Sequence, residues 1–309
     1  MTNVLLTVPA KVESFAAMIV AQQTGEFAKE NLNATFQLDP GGAASEPQEL
    51  AQGTVQATMT GLNAGTMNAI NAGVGLAYVG YPYKYQTGDK EGFWVNKTFV
   101  NANGTFNKSM VSTFKITLGT AGAASASAQQ VQQWLEKSDV SLSQVSITNL
   151  AGPSQITALN SGAIQGAFVL SPYFEPLESN PQYVQVTGTP LATGVIEMGT
   201  GFMNQHPTVA QAILRALIRT DRTYLGPNYR SDANVMSIIS TWLGVPVATI
   251  NGNPAVVFST DYDPTPLNVL VPEIQKTWLQ VGGILNFPTP LKVTTVVNTS
   301  MVNAVLAKK

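Results

Sequence analysis

The sequence predicts an α/β protein made of two similar lobes, each a doubly wound, mostly parallel sheet flanked by helices. Three observations point there. Short apolar runs alternate with amphipathic segments along most of the chain, the pattern of parallel strands joined by helical crossovers. An eight-residue segment recurs: Leu50-Ala-Gln-Gly53-Thr-Val55-Gln56-Ala57 matches Leu159-Asn-Ser-Gly162-Ala-Ile164-Gln165-Gly166 at identical spacing, 109 residues apart. In both copies a helix ends at Gly and a strand starts two residues later. The length, 309 residues, suits about two domains of ~150 residues each.

The elements follow in order. Residues 4–8 (Val-Leu-Leu-Thr-Val) read as the first strand, and Ser14 as the cap of a helix carrying Phe15, Met18 and Ile19 that Gly25 helps to end. Residues 32–38 read as a strand and Pro40-Gly41-Gly42 as a turn. Pro47 behind Ser45 starts a helix that stops at Gly53. Strands at 55–60 and 76–80 enclose a helix at 63–72. Residues 81–113 are aromatic and polar, and read as a crossing between lobes followed by a loop. The alternation restarts with a strand at 115–119, a small-residue loop at 120–127 and a helix at 129–136. A strand at 145–150, a helix at 154–159 and a strand at 163–170 follow. Residues 184–186 are short and extended. From Thr208 helices dominate, at 208–218, 232–243 and 267–281.

Composition narrows the chemistry. Lys and Arg number 16 and Asp and Glu 18, only 11% of the chain, against roughly 25% in an average domain. With 44% hydrophobic residues the chain builds a sizeable core, and charge-driven disorder is excluded. A net charge of −2 and a pI near 5.5 lack the basic footprint of a nucleic-acid protein. The absence of Cys and the single His exclude thiol catalysis, disulfides and Cys/His metal sites. That His, His206, precedes Pro207 at a helix start and reads as structural. No G-x-S-x-G, P-loop or dinucleotide fingerprint accompanies it. Asp261-Tyr262-Asp263 lacks the glycine and later Glu of a calcium loop. No apolar run approaches the ~18 residues of a membrane span. No signal-peptide pattern precedes the first strand, so the chain reads as cytoplasmic or as a mature form without its leader, and the lack of Cys leans to the second.

Ligands of open α/β sheets sit beyond the carboxyl ends of the strands. Two facing lobes therefore single out loops 9–15, 41–47, 60–65, 80–94, 120–127 and 171–175. The ligand-binding candidates are Lys11, Glu13, Ser14 and Phe15; Ser45 and Glu46; Gly61 and Asn63; Tyr81, Tyr83, Glu91 and Trp94; Ser125 and Ser127; and Ser171, Tyr173 and Glu175. Ser14, Ser45, Ser125 and Ser127 stand near helix starts, where a hydroxyl serves a ligand or caps its own helix. Glu46 also suits a first-turn acid. Tyr81, Tyr83, Phe93 and Trp94, opposed by Tyr173 and accompanied by Glu13, Glu46, Glu91 and Glu175, suit a planar, aromatic or nitrogen-containing solute, or else hinge packing. All four Arg lie at 215–230, outside the six loops, which disfavours an Arg clamp on a carboxylate or sulfonate.

Five segments carry a family likeness. They are Gly25-Glu-Phe27-Ala-Lys-Glu-Asn-Leu32, the repeated Leu-x-x-Gly-x-Val/Ile pair, Pro172-Tyr173-Phe174-Glu175-Pro176, His206-Pro207-Thr-Val-Ala-Gln-Ala-Ile-Leu-Arg215, and Trp278-Leu-Gln-Val-Gly282-Gly-Ile-Leu-Asn-Phe-Pro288. In this order the chain resembles the periplasmic substrate-binding proteins of ABC importers, in the branch of sulfonate, taurine, nitrate and thiamine-pyrimidine binders. The resemblance implies the two-lobed periplasmic-binding-protein fold, with lobe 1 at 1–92 plus 192–309, lobe 2 at 93–191 and hinge crossings near 92–95 and 188–194. It implies a monomeric, non-enzymatic receptor without metal or cofactor, periplasmic or lipid-anchored at the cell surface, that passes a small organic ligand to a membrane permease. Gln56 and Gln165 stand where the family carries Asp, and Asn31 where it carries Gly. Rival readings are a sulfonate or carboxylate binder of the same family, and a pyrimidine-precursor enzyme or a sensor domain on the same fold. The Cys-rich motif of those enzymes is absent.

Overall fold

A computed structural model describes residues 1–39, 45–86, 88–113, 116–150, 152–186 and 193–307. The turn expected at 40–42, the Lys115 start of a strand and positions 188–192 of the second crossing lie outside the described residues. Among the described residues there are twelve strands: β1 Thr2–Val8, β2 Leu32–Leu38, β3 Ala57–Gly61, β4 Leu76–Gly80, β5 Tyr83–Lys84, β6 Gly92–Asn96, β7 Thr117–Thr120, β8 Ser146–Asn149, β9 Gly166–Val169, β10 Tyr183–Gln185, β11 Gly194–Gly199 and β12 Val257–Phe258. Strands β2 and β4 have the bounds the sequence predicts. Most of the others start or end one to three residues away, where fraying and capping compete.

Ten strands make two five-stranded sheets, ordered β2-β1-β3-β11-β4 and β10-β6-β9-β7-β8. Read from the other edge, the second is β8-β7-β9-β6-β10, the same plan with β7, β8, β9 and β10 in place of β1, β2, β3 and β4. In each sheet four strands share a direction and one runs against them: β11 is antiparallel to β3 and β4, and β6 is antiparallel to β9 and β10. Each reversed strand follows a passage between sheets. The sequence reading missed both. Gly92-Phe-Trp-Val-Asn lies in the stretch that reads as a crossing, and the β11 run Gly-Val-Ile-Glu-Met-Gly is interrupted by a charge. Burial on both faces explains their apolar content: all six residues of β11 are buried.

The repeat has a structural basis. Gly53 and Gly162 end their helices at φ 72° and 73°, the left-handed region open to glycine. Three residues on, Gln56 Oε1 accepts from the Leu5 amide at 2.6 Å and its Nε2 donates to the Gly53 carbonyl at 2.6 Å. Gln165 does the same with the Thr117 amide at 2.8 Å and the Gly162 carbonyl at 3.1 Å. One amide thus ties the first strand of each sheet to the helix cap before its third strand. Only a side chain with both an acceptor and a donor can do this; a carboxylate has only the acceptor.

The pleat sends alternate side chains to two cores. On the first sheet Leu6, Val8, Met59 and Met198 pack with Ile213 and Leu217 of the helix Pro207–Tyr224. On the second, Phe93 and Phe168 pack with Trp134, while Trp94 and Val169 meet Leu159 and Phe174 on the opposite face. Among the described residues no helix is long and apolar enough to cross a membrane.

Candidate functional site

The carboxyl ends of the two sheets face each other, and their loops bond. Loop 9–15, after β1, meets loop 171–175, after β9: the Glu13 amide donates to the Ser171 carbonyl at 3.5 Å, and the Tyr173 hydroxyl to the Lys11 carbonyl at 3.1 Å. Loop 60–65, after β3, meets loop 120–127, after β7: the Ala64 amide donates to the Ala124 carbonyl at 2.9 Å, and Asn63 pairs with Ser125 as an antiparallel bridge. Since β1 corresponds to β7 and β3 to β9, the two meetings are related by the same exchange that relates the sheets.

At the first meeting a buried polar cluster forms. Glu13, in the turn Glu13–Phe15, has no solvent exposure. Its carboxylate accepts from Tyr229 Oη at 2.5 Å, from Arg230 Nη2 at 2.7 Å and 2.9 Å, from Arg230 Nε at 3.1 Å and from Ser171 Oγ at 3.3 Å. Glu91 Oε1 accepts from the Ser171 amide at 2.9 Å. Asp89 Oδ1 accepts from the Glu91 amide at 2.7 Å and from Asn253 Nδ2 at 3.3 Å. Three carboxyls thus gather near one guanidinium. Burial raises the Glu13 carboxyl above the ordinary range even with Arg230 beside it. Burial, with Asp89 next in effect, pushes Glu91 well up. Ser14 Oγ, Asp89 Oδ2 and Glu91 Oε2 are buried without a hydrogen-bond partner. Such groups are uncommon in folded proteins and call for an explanation. Beside them, Phe15 meets Tyr83 edge-on at 6.1 Å, and Tyr83 lies 5.6 Å from Tyr85.

Other candidates stand elsewhere. Trp94 does not face a cleft: the pleat turns it into the second sheet's core, stacked on Phe174 at 6.3 Å with Nε1 donating to the Lys90 carbonyl. Phe93 takes the opposite face of the same sheet. Ser14 caps no helix, and Ser45 donates instead to Asp39 at 2.9 Å. Ser125 does cap, accepting from the Ala128 amide at 3.2 Å, and shares a hydrogen bond with Ser127 at 2.8 Å. Asn63 is also a cap, for the Thr66 amide at 2.8 Å. Gly61 ends β3, Glu175 opens the half-turn Glu175–Glu178, and the Lys11 side chain is exposed. Glu46 is buried against β3, with Oε1 accepting from Thr58 Oγ1 at 3.1 Å. Burial pushes its carboxyl up to about 7. Tyr81 lines a separate cavity of about 730 Å³.

Arg230 corrects the sequence reading most. Its position in the chain set it apart from the six loops, yet its guanidinium holds Glu13. Of the other arginines, Arg215 and Arg219 pair with Glu26 and Glu30, and Arg222 donates to the Thr260 carbonyl. Tyr229 and Asn253 were missed with Arg230. No local pattern marks them, because they reach the cluster through packing of the late helices. Among the described residues no group of three His, Cys, Asp or Glu could hold a metal.

No protein-family model matches the chain, and no curated protein does. Solved structures do. The alkanesulfonate-binding protein SsuA from Xanthomonas axonopodis pv. citri, bound to MOPS, aligns with a TM-score of 0.71 and 15% identity over 97% of this chain and 99% of that one. A ligand-binding component of an ABC-type import system from Staphylococcus aureus, with zinc bound, aligns at 0.70 and 12% over 99% of each chain. The desulfurization enzyme DSZB aligns at 0.60 and 14% over 100% of this chain and 99% of that one. With its two equivalent sheets and facing loops, the chain has the two-lobed periplasmic-binding-protein fold.

Proposed function

We propose that the chain is an extracytoplasmic solute receptor that captures a small organic molecule between two lobes and delivers it to the permease of an ABC importer. The observation that carries this reading is the paired meeting of loops: 9–15 with 171–175, and 60–65 with 120–127. The bonds between Glu13 and Ser171, Tyr173 and Lys11, and Ala64 and Ala124 join one sheet's carboxyl end to the other's, so a ligand bound between them favours the joined state by its contacts to both sides. Lobe 1 comprises 1–92 plus 192–309 and lobe 2 comprises 93–191, with hinge crossings near 92–95 and 188–194. At the second crossing a Cβ on Gly194 would stand 2.2 Å from the Tyr83 ring, so only glycine lets the two segments lie together. The receptor is a monomer, periplasmic or lipid-anchored, and needs neither cofactor nor catalysis.

The ligand is planar or nitrogen-containing. The buried polar atoms Ser14 Oγ, Asp89 Oδ2 and Glu91 Oε2 favour a solute that both donates and accepts hydrogen bonds, as nitrogen heterocycles and amines do, and Tyr83 and Tyr85 supply aromatic faces. Arg230 favours a second reading, a sulfonate or carboxylate that competes with Glu13 for the guanidinium. A thermal-shift screen of heterocycles, amines, sulfonates and aromatic acids tests both, since a ligand of the native state raises Tm. Shifts by amines and heterocycles that Glu91→Gln abolishes support the first. Shifts by sulfonates alone replace it with the second. The likeness to DSZB keeps an enzymatic reading open to test: mass spectrometry should recover each stabilising compound unchanged, and turnover would make the chain an enzyme.

A further inference from the structure

The cavity of about 730 Å³ shares Tyr83 with the aromatic pair beside the polar cluster, but no described residue of 93–191 lines it. It sits on the small sheet that β5 makes with β12. Its volume falls in the range of small-molecule sites, about 300–1,000 Å³. Tyr81, Phe258 and Leu225 form an apolar wall, and Asp261, Asp263 and Lys84 supply charge at the rim.

The Asp-Tyr-Asp motif, no calcium loop, explains how the rim is built. Tyr262 is fully buried at φ 53°, with its ring close enough to Gly80 that a Cβ there would lie 3.2 Å from it. The Tyr81 amide donates to the Tyr262 carbonyl at 3.2 Å, fixing the segment. With the ring drawn inward, the two flanking aspartates stay exposed on the cavity. Each uses Oδ1 to hold its own loop: Asp261 accepts from Ser259 Oγ at 3.0 Å and Asp263 from Thr265 Oγ1 at 2.7 Å. No described residue bonds either Oδ2. Lys84 and, through its bond to the Thr260 carbonyl, Arg222 stand about the same rim, and the two unbonded Oδ2 atoms beside aromatic faces offer a cation its place.

We propose that this cavity is a second small-molecule site, taking an aromatic ring that carries a protonated amine or amidine. The ring packs on Tyr81 and Phe258, and the cation is held by Asp261 and Asp263.

The test is titration of the full chain with phenethylammonium, followed by calorimetry and ligand-observed NMR, beside 3-phenylpropionate and ethylammonium. Saturable binding of phenethylammonium alone is expected. The double variant Asp261→Asn/Asp263→Asn should weaken it about five-fold, the scale of exposed charge pairs. Gly226→Trp should abolish it, because a side chain at Gly226 enters open space at the cavity wall. Both variants lie at exposed positions or open space, and unchanged Tm verifies their folding. Absent saturable binding, equal binding of 3-phenylpropionate, or an affinity untouched by both variants overturns the proposal. So does loss of binding only in Glu91→Gln, which would move the probe to the cleft.

Discussion

The two sheets share one plan and differ in what they bury. Among the described residues the buried carboxyls are Glu13, Glu26, Glu46, Asp89, Glu91, Glu197 and Asp221; Asp89 and Glu91 lie in the crossing and the others in segments that build or cover the first sheet. Between 93 and 186 the buried polar side chains are Thr120, Ser125, Gln129, Gln132, Gln155 and Ser171, all neutral. After β1 the loop carries Glu13; after β7 the equivalent loop carries Ser125. The late helices add a layer over the first sheet, and this deeper interior can enclose acids with partners such as Arg230 and Tyr229. Topology therefore sets where the loops meet, while the thickness of the surrounding layer sets how much charge each side can hold.

The largest effect that could break this contrast concerns Arg230. Replacing it by Met leaves a buried carboxylate without its cation, and stability should fall by about 3–5 kcal/mol near neutral pH. The loss should shrink on acidification, as Glu13 takes up a proton. Denaturant midpoints measure it, and a loss below about 1 kcal/mol would reduce the pair to a surface ion pair.

Glu46 sharpens the same point through pH. Its carboxyl titrates at about 7 in the folded chain, above the ordinary 4.5. Between those values the native state holds a proton that the unfolded chain releases, so stability falls as pH rises and levels off above about 7. The span corresponds to roughly 3 kcal/mol. Glu46→Gln should remove that share of the slope and stabilise the protein at alkaline pH by a similar amount. A stability profile parallel to that of the parent chain would refute the assignment.

Next in size is the paired glutamine device. Gln56→Ala and Gln165→Ala each remove two hydrogen bonds to backbone groups and should each cost about 1–3 kcal/mol. The two costs should agree to within about 0.5 kcal/mol if the devices are equivalent. Clearly unequal midpoints would show that the repeat matches in sequence and geometry without matching in energy.

The smallest effect is that of Tyr173→Phe. It deletes one neutral bond between the loops, worth about 0.5–1.5 kcal/mol. Global unfolding should change little, while small-angle scattering of the ligand-free chain should report a larger radius of gyration. An unchanged radius would mean that this bond has no part in holding the two sides together.

Much of the fold was legible because its signals are local. Leu32–Leu38 alternates apolar and polar residues and Leu76–Gly80 is an apolar run, and the glycines of the repeat mark helix ends by their left-handed backbone. The reversed strands β6 and β11 were illegible for a physical reason. Their partners are far away in sequence, β11 pairing with β3 across more than 130 residues, and neither shows the alternation of a half-buried strand. In the candidate site, five of the six loops contribute to contacts between the sheets' carboxyl ends. Trp94 failed as a cleft residue because a strand's pleat, not its aromatic neighbours, decides which way a side chain points.

What the sequence determined by itself was the α/β class, the twofold plan and the loops that would face each other. Those follow from periodicity, glycine caps and an eight-residue repeat, all carried by neighbouring residues. The tertiary structure alone decided the electrostatics. The chain positions of the four arginines argue for a site without one, yet Arg230 lies against Glu13, 217 residues away in the chain. Ser125 became a cap, whereas Ser14 was left buried without a partner. Burial and distance govern the energy of a charge or a hydroxyl, and both arise only when distant segments pack.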